Sequence, residues 1–69
     1  MNWDRIEANW KQFKGNARQE WSALKDEQLD AIAGRRNELV GRIQEAYGMS
    51  KEETEKQITD WQSRQQDAA

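Results

Sequence analysis

The chain has no cysteine, no histidine and no proline, and only four glycines in 69 residues. Without cysteine there is no disulfide to staple the fold and no thiolate to hold a metal. Without histidine the commonest metal ligand and the commonest acid–base group near neutral pH are both missing. Ser22, Ser50, Ser63, Thr54, Thr59 and Tyr47 are the candidate nucleophiles, and none has an imidazole to activate it. No apolar run approaches the roughly 18 residues that span a bilayer. Met1-Asn2-Trp3-Asp4 shows neither a basic n-region nor an apolar h-region, so no signal peptide is expected and the expected location is the cytoplasm. Net charge is also scarce: 11 basic side chains face 13 acidic ones, for a formal charge of −2. Such a balance favours solubility and exerts no global pull on nucleic acid or anionic lipid.

What the chain does have is tryptophan and helical periodicity. Four Trp in so short a chain argue against disorder, because disordered segments are poor in aromatics. Ile, Val and Thr together number only seven, which with the absence of proline points to helices rather than strands. Trp3, Ile6, Trp10, Phe13, Ala17, Trp21 and Leu24 recur three or four residues apart and fall on a stripe about 80° wide, the mark of one amphipathic helix over 3–24. Asn2 is its N-cap, and Gly15 marks either a bend or a close approach of another backbone. A second helix is expected over 24–33, with Asp26 and Glu27 in the first turn, Leu29, Ile32 and Ala33 inward and Gly34 just past the end. The third spans 35–47, with Leu39, Val40, Ile43, Ala46 and Tyr47 as its stripe and Gly48 as its stop. Ser50-Lys51-Glu52-Glu53 is a capping box that opens the fourth, with Met49 and Thr54 at the staple positions. Only Ile58 and Trp61 are plain inward residues there, so that helix is expected to be weakly anchored, and residues 65–69 are expected to fray.

A weak repeat at an offset of 26 aligns Phe13, Gly15, Ala17, Trp21 and Lys25 with Leu39, Gly41, Ile43, Tyr47 and Lys51. It suggests two similar helical hairpins that bury each other's stripes. The expectation is therefore a single all-α domain over residues 1–69 with four helices.

The run Asn9-Trp10-Lys11-Gln12-Phe13-Lys14-Gly15 carries a resemblance. With Ala31-Ile32, Gly34-Arg35-Arg36, Leu39-Val40-Gly41-Arg42-Ile43-Gln44-Glu45, Tyr47-Gly48 and Asp60-Trp61, it resembles the CsbD-like family over about residues 9–63. The resemblance implies a small bacterial cytoplasmic protein of the general stress response. It also implies four helices as two roughly orthogonal α-hairpins, akin to SAM-like and helix-hairpin-helix domains. It supplies no mapped site. The chain departs from the family at Lys25, where relatives often carry a threonine helix cap.

Candidate chemistry reduces to two basic clusters and an aromatic stripe. Lys14 and Arg18 flank the stripe, and Arg35, Arg36 and Arg42 surround the turn between the second and third helices. Together these five are the candidate nucleic-acid contacts, with Trp3, Trp10, Phe13 and Trp21 as a stacking platform. Against that stand a pI near 5.1 and the simpler assignment of the aromatics to the core, with the basic stems lying over its edge. The acidic groups Asp26, Glu27, Asp30 and Glu52, Glu53, Glu55 read as first turns of helices rather than metal or catalytic sites. No cofactor and no metal are expected. The leading expectation is a monomeric, non-enzymatic stress protein acting by protein contact or protection, with a mean hydropathy of −1.30 that suits an abundant soluble chain. The alternative is a weak nucleic-acid-binding module.

Overall fold

Asn2 caps the first helix: its Oδ1 accepts the Arg5 N–H at 3.1 Å. The computed structural model describes residues 2–65, and among these there are five helices and no strand. They are α1 (Trp3–Ala8), α2 (Trp10–Glu20), α3 (Asp26–Ile32), α4 (Arg36–Tyr47) and α5 (Lys51–Gln65). Each packs on the next in chain order.

The count is five rather than four because the first amphipathic stripe is divided. Asn9, at φ −114° and ψ 33°, leaves the helical region and separates α1 from α2. Gly15 does neither thing expected of it. It lies inside α2, and a Cβ built on it would meet nothing within 4 Å. The turn falls at Asn9 because tertiary contacts draw α1 aside: the Trp3 indole N–H reaches the Gly34 carbonyl at 2.7 Å and Ile6 is fully buried.

Two other helices start or stop elsewhere than expected. α2 ends at Glu20, and the Trp21 N–H closes it on the Ala17 carbonyl at 2.8 Å. Trp21 and Leu24 stay buried, but in a turn rather than a helix. α3 starts at Asp26, where the Lys25 N–H donates to Gln28 Oε1 at 3.0 Å; Gln28 does the capping that a threonine side chain at position 25 would otherwise share. Its last turn closes through Ala33, which is left-handed at φ 53° and turns its methyl to solvent instead of inward. Gly34 is left-handed too, at φ 79°. Here glycine is required: a Cβ would stand 2.9 Å from the Glu7 Cα. α4 begins at Arg36, with Arg35 in its extended N-cap, and stops at the left-handed Gly48. Leu39, Val40 and Ile43 face inward as the stripe requires, whereas Ala46 and Tyr47 are exposed. Trp21 and Tyr47, matched in the repeat, thus have opposite environments.

α5 is firmly seated, contrary to the thin stripe. Ser50 Oγ accepts the Glu53 N–H at 3.2 Å, and the buried Thr54 hydroxyl donates to the Ser50 carbonyl at 2.8 Å. Trp61 lies 5.5 Å from Trp21, 6.0 Å from Trp3 and 6.5 Å from Phe13, centroid to centroid, so one residue of α5 joins the aromatics of three other segments. Gln65 does not fray. It is helical and buried, donates to the Trp61 carbonyl and accepts from Asn16 Nδ2 at 3.0 Å. The rest of the expected tail, 66–69, and Met1 lie outside the described residues.

Candidate functional site

The aromatic stripe is core. Trp10, Trp21 and Trp61 are buried, Trp3 and Phe13 are half-buried against them, and Ile6, Ala17, Leu24, Leu29, Ile32, Leu39, Val40, Ile43 and Ile58 complete the cluster. The indole N–H groups are spent inside the molecule, Trp10 on the Leu29 carbonyl at 2.8 Å and Trp21 on Gln57 Oε1 at 3.4 Å. Trp10 and Trp21 therefore offer no open face on which a base could stack.

The five candidate cations separate into two kinds. Lys14 on α2 binds Asp30 on α3 at 2.7 Å, and Arg18 approaches Asp26 at 3.5 Å. Both therefore tie α2 to α3. The hydrogen bond to Asp30 holds the Lys14 ammonium above the ordinary lysine value, with partial burial acting the other way. Arg36 ties α4 to α5 and α1: its Nη2 donates to Thr59 Oγ1 at 3.2 Å and to the Glu55 carbonyl at 3.5 Å, and its guanidinium lies 5.8 Å from the centre of the Trp3 ring. Arg35 and Arg42 form no ion pair among the described residues. Arg35 stands in the extended N-cap and Arg42 within α4, with Glu38 between them in the chain. The structure does not gather the five into one patch. The Gly34-Arg35-Arg36 turn serves α1, through the Trp3–Gly34 hydrogen bond and the close passage of Glu7.

Four of the six candidate hydroxyls are also engaged. Tyr47 Oη accepts the Ala23 N–H at 3.1 Å, Ser50 and Thr54 cap α5, and Thr59 receives Arg36. Among the described residues no three carboxylates come together as a metal-holding group. An open groove of about 330 Å³ runs between α4 and α5, lined by Arg36, Asn37, Val40, Gly41, Gln44, Lys51 and Glu55. Its charges are of both signs, and the space where a Gly41 Cβ would stand is open. A second groove, between α2 and α5, is lined by Asn16, Gln19, Glu20, Trp61, Arg64 and Gln65, with Arg64 bound to Glu20 at 3.1 Å. Periodicity placed Trp61 inward, but it did not single out Gln57 and Gln65, which bond the Trp21 indole and the Trp61 carbonyl.

Fold and surface define a small all-helical protein whose aromatics are spent on one core and whose charges clasp helix to helix. The chain belongs to the CsbD-like family: the family model so described matches residues 4–56. It is 47% identical over 64 residues to the UPF0337 protein YjbJ of Escherichia coli strain K12, covering 93% of each chain. It is 52% identical over 62 residues to the UPF0337 protein ECA0631 of Pectobacterium atrosepticum, covering 90% of each. With the UPF0337 protein RPA4217 of Rhodopseudomonas palustris it shares 51% identity over 61 residues, 88% of this chain and 92% of that one. No helix among the described residues is long and apolar enough to cross a membrane.

Proposed function

We propose that the chain is a non-enzymatic general stress-response protein of the bacterial cytoplasm that acts by protein contact or general protection. Membership of the CsbD-like family carries this reading. The geometry supports it: the titratable side chains lie at the surface, several of them in cross-helix pairs, and four of the six hydroxyls named as nucleophiles, those of Tyr47, Ser50, Thr54 and Thr59, are held in hydrogen bonds within the fold. The alternative, a weak nucleic-acid module, would rest on Arg35 and Arg42, since Lys14, Arg18 and Arg36 already hold intramolecular partners. Two cations without an ion pair among the described residues, with Glu38 between them in the chain, release few counterions, so affinity for short DNA or RNA should be no better than non-specific binding, about 10⁻⁴–10⁻⁶ M at physiological salt.

A titration with single- and double-stranded oligonucleotides at two salt concentrations tests this. Weak binding that Arg35→Ala with Arg42→Ala leaves unchanged is the expected result. Tight binding that falls steeply with salt and is lost in that double variant, with helicity intact, would replace the protein-contact reading by the nucleic-acid one. Affinity capture from stressed cells, with and without nuclease treatment of the lysate, then separates direct protein partners from those bridged by nucleic acid.

A further inference from the structure

The junction between α1 and α2 sets sequence and structure at odds. Trp3, Ile6, Trp10, Phe13 and Ala17 are spaced as on one straight helix, yet the backbone turns at Asn9. The turn uses neither proline nor glycine nor a left-handed residue. Helical hydrogen bonding almost runs through it: the Asn9 N–H reaches the Arg5 carbonyl at 3.1 Å, and the Phe13 N–H reaches the Asn9 carbonyl at 3.3 Å. Little rearrangement separates this hinge from a continuous helix over 3–20. What holds α1 in place is remote in sequence: the Trp3–Gly34 hydrogen bond, the Trp3–Trp61 ring contact, Arg36 over the Trp3 ring and the burial of Ile6. At the hinge itself one side-chain contact keeps the turn, Asn9 Nδ2 to the Arg5 carbonyl at 2.9 Å.

We infer that α1 is an exchangeable arm. At high concentration Asn9 straightens in two copies, and each seats its α1 in the other, giving a dimer joined by reciprocal Trp3–Gly34 and Trp3–Trp61 contacts. The seat names its occupant. Gly34 lacks the Cβ that would collide with Glu7, so the cleft is cut for an α1 backbone in this register. A second copy supplies the same Trp3, Ile6 and Glu7. Exchange preserves the contacts that α1 makes with residues remote in sequence and adds helical residues at two hinges, which makes it a low-cost route to a dimer. It loses only the freedom of a separate molecule, so the monomer prevails when dilute. This arm is independent of the protein-contact function proposed above.

Size-exclusion chromatography with light scattering, from micromolar concentration upward, reads the equilibrium. Asn9→Ala raises helix propensity at both hinges and removes the Nδ2 contact, so its dimer dissociation constant should fall about tenfold. Asn9→Gly, which disfavours the straight helix, should weaken the dimer. Mixing labelled with unlabelled dimer identifies exchange: subunits of an exchanged dimer should mix only as fast as the chain opens, and faster with denaturant. An Asn9→Ala protein that stays monomeric throughout, or a dimer whose subunits mix on simple dilution, overturns the inference. Should Asn9→Ala not fold, the parent chain heated and cooled at high concentration must yield the slowly mixing dimer, and its absence is equally decisive.

Discussion

Trp61 shows how much one side chain can decide in a chain this small. It meets Trp3, Phe13 and Trp21 at centroid separations of 5.5 to 6.5 Å, and such ring pairs add about 0.5–1.5 kcal/mol each beyond area burial. Trp61→Ala should therefore cost about 3–5 kcal/mol, as much as Trp10→Ala, and in a marginally stable domain that approaches complete unfolding. Urea denaturation followed by far-UV circular dichroism checks this; a parent-like midpoint would put Trp61 outside the core. Lys14 supports a prediction in pH. Its ammonium is raised above the ordinary lysine value by Asp30, so the folded state holds that proton more tightly than the unfolded chain. The contribution is complete below the ordinary value and is lost as pH rises through the raised one. Melting temperature should accordingly fall more steeply in the parent than in Lys14→Met across that alkaline range, and parallel curves would show that the pair adds nothing.

At the scale of the helix, the four glycines divide by what surrounds them. Gly15 and Gly41 lie mid-helix with open space where a Cβ would go. Alanine at either should stabilise by about 1 kcal/mol, the ordinary difference in helix propensity. Gly48 is left-handed but open, so Gly48→Ala should cost only the backbone penalty, roughly 1–2 kcal/mol. Gly34 combines a left-handed φ with a site where an added Cβ would stand 2.9 Å from the Glu7 Cα, so Gly34→Ala must also push α1 away and should be the most damaging of the four. Thermal melts of the four single variants test the order. A Gly34→Ala protein as stable as Gly48→Ala would mean that α1 does not need its close seat.

The whole molecule has a radius of gyration of 11.0 Å, about what globular chains of this length show. Among the described residues the twelve buried apolar ones make one cluster, and Trp3, Phe13 and Met49 pack against it. Unfolding should then be a single transition, with tryptophan fluorescence and helical ellipticity coinciding in urea. Transitions that separate would show a part of the chain, α1 above all, opening on its own.

The sequence alone determined the all-helical class, through periodicity, the seven β-branched residues and the lack of proline, and it placed the stops at Gly48 and the cap at Ser50. Those features are local: each depends on a few neighbouring residues and on the backbone's own hydrogen bonds. The division of the first stripe at Asn9, the weight carried by Trp61 and the pairing of Lys14 and Arg18 with α3 were decided by the tertiary structure. Each arises from a contact between residues far apart in the chain, from 8 between Arg18 and Asp26 to 58 between Trp3 and Trp61, and a stripe of apolar residues says which side of a helix is buried but not what it is buried against.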